Sequence, residues 1–259
     1  MKYRILGSLE VRDGLGAVRL SPRLRDVLAV LLSRPNEVVS TDRLAAALWE
    51  ETPPKSAVKT MQVYVHHLRR VLGGRSIDRR SGGYVLVTEP DELDVARFEG
   101  LVVAGRAAVA ERDLDRGIGL LRRALALWRG PAYEGQASMP GVREEAARLG
   151  ELKLTVTEER TEAELWAGRN RDLVPELTVA VAENPLRERL RAQLMLALHH
   201  SGRRAEALTV YREGHAVLAT ELGLGPGREL RGMQQAILDD ALDGEGVTSP
   251  IARCPRCLR

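Results

Sequence analysis

Cysteine is nearly absent from this 259-residue chain: Cys254 and Cys257 stand in the last six residues, where they staple nothing, which excludes a disulfide-built fold. The pair invites a zinc reading, but tetrahedral zinc takes about four ligands and no further Cys or His stands near it. Aromatic residues are only 3% with a single Phe, Phe98, so a core must come from Leu, Val and Ala, as in helical repeats. Lysine occurs only at positions 2, 55, 59 and 153, and arginine carries the rest of the basic charge. No apolar run reaches the roughly 18 residues of a membrane span. The N-terminus also lacks the layout of a secretory signal. A cytoplasmic protein without membrane contact is the expectation. No Gly-rich phosphate loop, His-carboxylate cluster or nucleophile motif appears, so neither an enzyme nor a cofactor is expected.

What is present is unevenly distributed. The overall charge of +3 conceals 15 Lys+Arg against 9 Asp+Glu in residues 1–90, and 24 against 27 in residues 91–259. Only the first third suits a polyanion. At this length two domains are expected, here 1–90 and 91–243, followed by a disordered Gly/Ser/Thr/Pro tail, 244–259.

Within the first third, Tyr3 to Val11 alternates as a strand, Asp13-Gly14 turns the chain, and Ala17 to Leu20 reads as a returning strand. Ser21-Pro22 starts a helix with Leu24, Val27, Leu28 and Leu31 on one stripe, ending near Pro35-Asn36. Ser40 starts a second, short helix that ends near Trp49. Pro53 and Pro54 then force a loop. The third helix is expected from about Ala57 to Leu72. At about 100° per residue, Val58, Met61, Tyr64, Val65, Leu68, Val71 and Leu72 share an apolar face. The opposite face collects Lys59, Val63, His66, His67 and Arg70, edged by Thr60, Gln62 and Arg69. An amphipathic surface helix also needs a polar outer face, but it normally mixes charge signs, and no Asp or Glu occurs from Ala57 to Leu72. A helix lying in a DNA major groove is surrounded by phosphates, which repel carboxylates and accept these donors. Ile77 to Val87 follows as a hairpin around Ser81-Gly82-Gly83, with Arg79 and Arg80 at its tip, positioned as a wing for phosphates or a narrow minor groove.

The string VVSTDRLAAALWEETPPKSAVKTMQVYVHHLRRVLGG, Val38 to Gly74, with Gly82-Gly83-Tyr84, resembles the SARP family (Streptomyces antibiotic regulatory proteins), whose DNA-binding domain is of the OmpR winged-helix type. LRRALALWRGPAYEG, Leu121 to Gly135, the stretch Leu173 to Gly214, and ELGLGPGREL, Glu221 to Leu230, are similar to the bacterial transcriptional activator domain of that family. The resemblance implies a mainly α protein, an N-terminal winged helix-turn-helix with small antiparallel β elements before an all-α tetratricopeptide-like domain. It implies further that the third helix reads the major groove, that a homodimer binds direct repeats in double-stranded promoter DNA at the nucleoid, and that it recruits RNA polymerase holoenzyme to a secondary-metabolite gene cluster. Trp49, Glu50, Glu51 and Lys55 match the position that contacts polymerase in related winged helices. A repressor with the same DNA-binding domain, and a protein-interaction scaffold, remain alternatives.

From Asp91 onward the periodicity is helical. Gly168 and Gly202 stand 34 residues apart, each between a helix and an Arg-rich turn, and Leu173/Ala207, Val174/Leu208 and Leu177/Tyr211 share that offset, the spacing of tetratricopeptide pairs. Phe98, Trp128, Trp166 and Tyr211 are expected to pack, His199, His200 and His215 to lie at or near the surface, and a last helix to run from Arg228 to Leu242.

Overall fold

The computed structural model describes residues 1–49, 52–74 and 76–242. The expected tail with Cys254 and Cys257 lies outside the described residues, as do Glu50 and Glu51. The described chain is mainly α, with two small antiparallel sheets confined to the N-terminal third. It forms two compact units: Met1–Val103 with Arg122–Leu154, and the described residues of Ala104–Leu121 and Thr155–Arg259. These units do not follow a linear cut near residue 90.

The first unit opens on a three-stranded meander, β1 (Lys2–Arg4), β2 (Glu10–Asp13) and β3 (Gly16–Val18). Two strands with a break therefore stand where alternation predicts one continuous strand, and the returning strand is shorter than Ala17 to Leu20. The break has a tertiary cause. The Asp94 carboxylate accepts from the backbone N–H of Ile5 (2.9 Å) and of Leu6 (3.1 Å). The carbonyls of Ile5 and Leu6 accept from the N–H of Tyr133 (2.9 Å) and Arg129 (2.8 Å). All four backbone groups are thereby used up by distant residues and are unavailable to a ladder. Burial outweighs these donors at Asp94 and holds its carboxyl above the ordinary Asp range. Asp94→Ala strands two backbone donors next to fully buried side chains and is expected to cost about 2–4 kcal/mol. Asp94→Asn, which keeps one acceptor oxygen, is expected to cost less; urea titration of both variants measures the difference.

Helix α1 (Pro22–Leu32) carries Pro at its first turn, and every residue from Val27 to Leu32 is buried. It is thus wrapped on all sides in its second half, beyond the single stripe expected. Its Ser33 hydroxyl donates to the carbonyl of Gly141 at 2.8 Å. A two-residue strand unforeseen from the sequence, β4 (Val39–Ser40), precedes α2 (Thr41–Trp49), and Ser40 Oγ accepts from the N–H of Arg43 at 3.1 Å as the helix cap. Helix α3 (Ala57–Leu72) packs on α1 and α2 and is followed by the hairpin β5 (Ile77–Arg80) and β6 (Gly83–Leu86), in a sheet ordered β4-β6-β5.

Helices α4 (Asp94–Ala110), α5 (Leu114–Leu125) and α6 (Arg143–Trp166) each contribute to both compact units. In the first unit Phe98 is buried and meets Trp128 edge to face, centroids 5.5 Å apart. In the second, α7 (Asn170–Glu183), α8 (Glu188–His200), α9 (Arg204–Leu222) and α10 (Arg228–Leu238) pack around Leu177, Leu190, Met195, Ala207, Leu230 and Met233. Gly168 and Gly202 both adopt φ of +75°, so the 34-residue offset marks the same left-handed turn ahead of α7 and of α9. Helix α10 ends at Leu238, short of the expected Leu242. Trp166, expected to pack, is 42% exposed as the last residue of α6, after a turn in which Thr161 to Leu165 are all buried. His199, expected near the surface, is buried on α8, whose residues Leu190 to His199 are all covered. Charges also enter this core: Arg160 Nη1 donates to Glu176 Oε2 at 3.0 Å, and Arg187 Nε to Glu158 Oε1 at 3.1 Å.

Candidate nucleic-acid interface

The elements that carry the charged face lie wholly within the first unit. Ala57, Met61, Val65, Leu68 and Leu72 recur at intervals of four, four, three and four and are all buried. This stripe anchors α3 against α1 and α2. It is narrower than expected: Tyr64 and Val71 are half-buried, and Val58, assigned to the apolar face, is 55% exposed. Ala57 takes the place in the stripe, and its neighbour is rotated out by one residue's step.

The opposite face is open. Lys59, Gln62, Val63, His66, His67 and Arg70 are exposed, and Thr60 is half-buried. Among the described residues, the side chains of Lys59, His66 and Arg70 make no hydrogen bond or ion pair. His66 and His67 lie with ring centroids 6.1 Å apart. Arg69 differs from the others, since its Nε donates to the carbonyl of Ile77 at 2.8 Å and it is half-buried. It ties the end of α3 to the first strand of the hairpin, a role that spacing alone does not reveal.

Further bonds hold the hairpin and its flank. The N–H of Thr41 donates to the carbonyl of Gly82 at 3.1 Å, holding the turn against the start of α2. Asn36 and Thr88 exchange bonds, Nδ2 to the Thr88 carbonyl at 3.0 Å and the Thr88 N–H to Oδ1 at 2.9 Å. Gly82 supplies the positive φ of the turn, +81°. Gly83 is required for closeness: a Cβ there would stand 2.1 Å from the Val39 carbonyl oxygen. Arg79 and Arg80 are exposed on β5, Arg80 bridging to Asp78 at 3.3 Å. Trp49 closes α2 and is half-buried, and Lys55 is exposed in the turn before α3. The arrangement presents cations, imidazoles and amide donors on one helix beside an arginine-bearing hairpin, with no carboxylate on the helix.

Comparison with known proteins agrees with this architecture. Residues 16–86 match the family described as transcriptional regulatory protein, C terminal, and residues 93–238 match the bacterial transcriptional activator domain. The chain is 40% identical over 240 residues to the regulatory protein AfsR of Streptomyces coelicolor, covering 92% of this chain and 24% of AfsR. It thus spans about a quarter of that relative's length. It is 35% identical over 266 residues to the regulatory protein DnrI of Streptomyces peucetius, covering 97% of this chain and 98% of DnrI. Among solved structures, EmbR of Mycobacterium tuberculosis, in complex with a low-affinity phosphopeptide, superposes with a TM-score of 0.90 at 31% identity over 99% of this chain and 68% of that one. That likeness fits a winged helix-turn-helix followed by an all-helical domain. The chain belongs to the SARP-type bacterial transcriptional activators, a family of regulators and not of enzymes.

Proposed function

We propose that this protein binds specific promoter DNA through α3 and activates transcription of a secondary-metabolite gene cluster. The observation that carries the reading is the open, carboxylate-free face of α3 beside the arginines of the hairpin. Lys59, Thr60, Gln62, Val63, His66, His67 and Arg70 face the major groove, with Arg69 holding the helix end. Arg79 and Arg80 reach phosphates or the adjacent minor groove. Residues up to about 90 supply the DNA-binding module and residues 91–243 the activator module, a division that the spans of the two family matches support. Two copies occupy direct repeats, and the connection between α2 and α3, from Trp49 to Lys55, meets RNA polymerase. The family membership and the names of AfsR and DnrI, both regulatory proteins of Streptomyces, favour a role in such a cluster.

Footprinting on promoters flanking the protein's own gene tests this. The expected result is protection of two like-oriented repeats whose centres lie about 10–10.5 bp, or a multiple of it, apart. Affinity for them should exceed that for unrelated duplex by at least ~10³ at physiological salt, and addition of the protein should raise transcription in vitro from the same promoter. Binding confined to the nonspecific range of about 10⁻⁴–10⁻⁶ M would overturn it.

A further inference from the structure

An exposed line on α3 runs through Lys59, Val63, His66 and Arg70, spaced four, three and four residues apart, so that each side chain stands next to the one before it on the helix surface. Three of these four are cationic or imidazole. The fourth is a β-branched hydrocarbon, 46% exposed, in the middle of the line and on the side opposite the buried stripe. Val63 lies outside the buried stripe of α3, and a branched residue at an exposed helical site lowers helix propensity relative to Ala or Lys. Its neighbours at three and four residues, Lys59, Thr60, His66 and His67, are all polar.

A duplex offers one group that matches such a side chain. Its major groove displays hydrogen-bond donors and acceptors at every base pair, but the only apolar group there is the C5-methyl of thymine. We infer that Val63 is a specificity-determining residue that reads a thymine methyl, with Lys59 and Arg70 fixing the helix on either side of that base pair. The inference rests on the reading of α3 as the groove-facing helix and goes beyond it by assigning one base type to one side chain. Cytosine, adenine and guanine present polar edges to Val63 and leave its methyls without a partner, so discrimination arises from a lost contact.

The test starts by selecting the preferred duplex from a pool of randomised DNA with the full-length protein, then replaces each thymine in that duplex with deoxyuridine, which deletes the methyl and nothing else. Wild-type protein is expected to lose about fourfold in affinity at one thymine per half-site, the amount set by a single buried methyl. Val63→Ala is expected to bind the thymine and uracil duplexes equally. Val63→Thr, which keeps the branch and exchanges one methyl for a hydroxyl, is expected to show a reduced difference. Because Val63 is exposed, circular dichroism should find both variants folded. Specific binding with no thymine sensitive to the exchange, or with the same sensitivity kept in Val63→Ala, overturns the inference and leaves the DNA-reading role of α3 standing. Failure of the wild-type protein to select any duplex overturns both.

Discussion

Alanine at Lys59, His66 and Arg70 together lowers specific promoter affinity at least about a hundredfold and leaves the melting temperature unchanged within a degree or two. Each of the three is exposed on the ridge of α3 and its side chain makes no hydrogen bond or ion pair among the described residues, so truncation removes no bond that holds the fold together. Alanine also has the highest helix propensity. In the bound state each contact to a phosphate or base edge contributes roughly 1–3 kcal/mol, and three at the low end already exceed a hundredfold. The salt dependence changes in parallel. Loss of the two permanent cations, Lys59 and Arg70, reduces the slope of log affinity against log salt by up to about two. Fluorescence anisotropy at several salt concentrations, with competitor DNA, reads both quantities. Unchanged affinity would remove α3 as the binding surface.

Gly83→Ala is expected to destabilise the first unit by about 3 kcal/mol, or roughly 10 °C in melting temperature. The new methyl would stand 2.1 Å from the Val39 carbonyl oxygen, 2.8 Å from its carbon and 2.9 Å from Ser40 Cα. All three are backbone atoms, so no rotamer change relieves the clash. The pairing of Val39 with Tyr84 and of Ser40 with Gly83 must give way, and with it the hold of α2 on the turn. DNA affinity should fall as well, since Arg79 and Arg80 lose their fixed position. Gly150 is the internal comparison. It lies inside α6 with nothing within 4 Å of the would-be Cβ, and Gly150→Ala is expected to stabilise the protein by up to about 1 kcal/mol. Thermal melts of the two variants should move in opposite directions.

Helix α3 was legible to the residue, because a loop with two prolines precedes it, two glycines follow it, and sixteen residues of uninterrupted periodicity lie between. The hairpin and the paired turns at Gly168 and Gly202 were legible for the same reason, since local chemistry dictates them. The break between β1 and β2 was not, because the acceptor that captures Ile5 and Leu6 belongs to Asp94, about ninety residues on. The exposure of Val58 and Trp166 and the burial of His199 were equally invisible, since which flank of a helix meets a neighbour depends on packing that periodicity only approximates. At the candidate face the sequence supplied residue types and left undecided which side chain is committed elsewhere. Arg69 and Arg70 are adjacent and chemically identical, yet only the first is spent on a carbonyl of β5.

The grip of Asp94, Arg129 and Tyr133 on the opening strands bears on how this regulator can be dissected. A gene fragment stopping where the first family match ends, at residue 86, would encode every side chain assigned to the duplex and none of the partners that satisfy Ile5 and Leu6. Such a truncation would be born with an unsealed seam, and weak binding by it would report a scaffold missing its back wall, not a helix that fails to read.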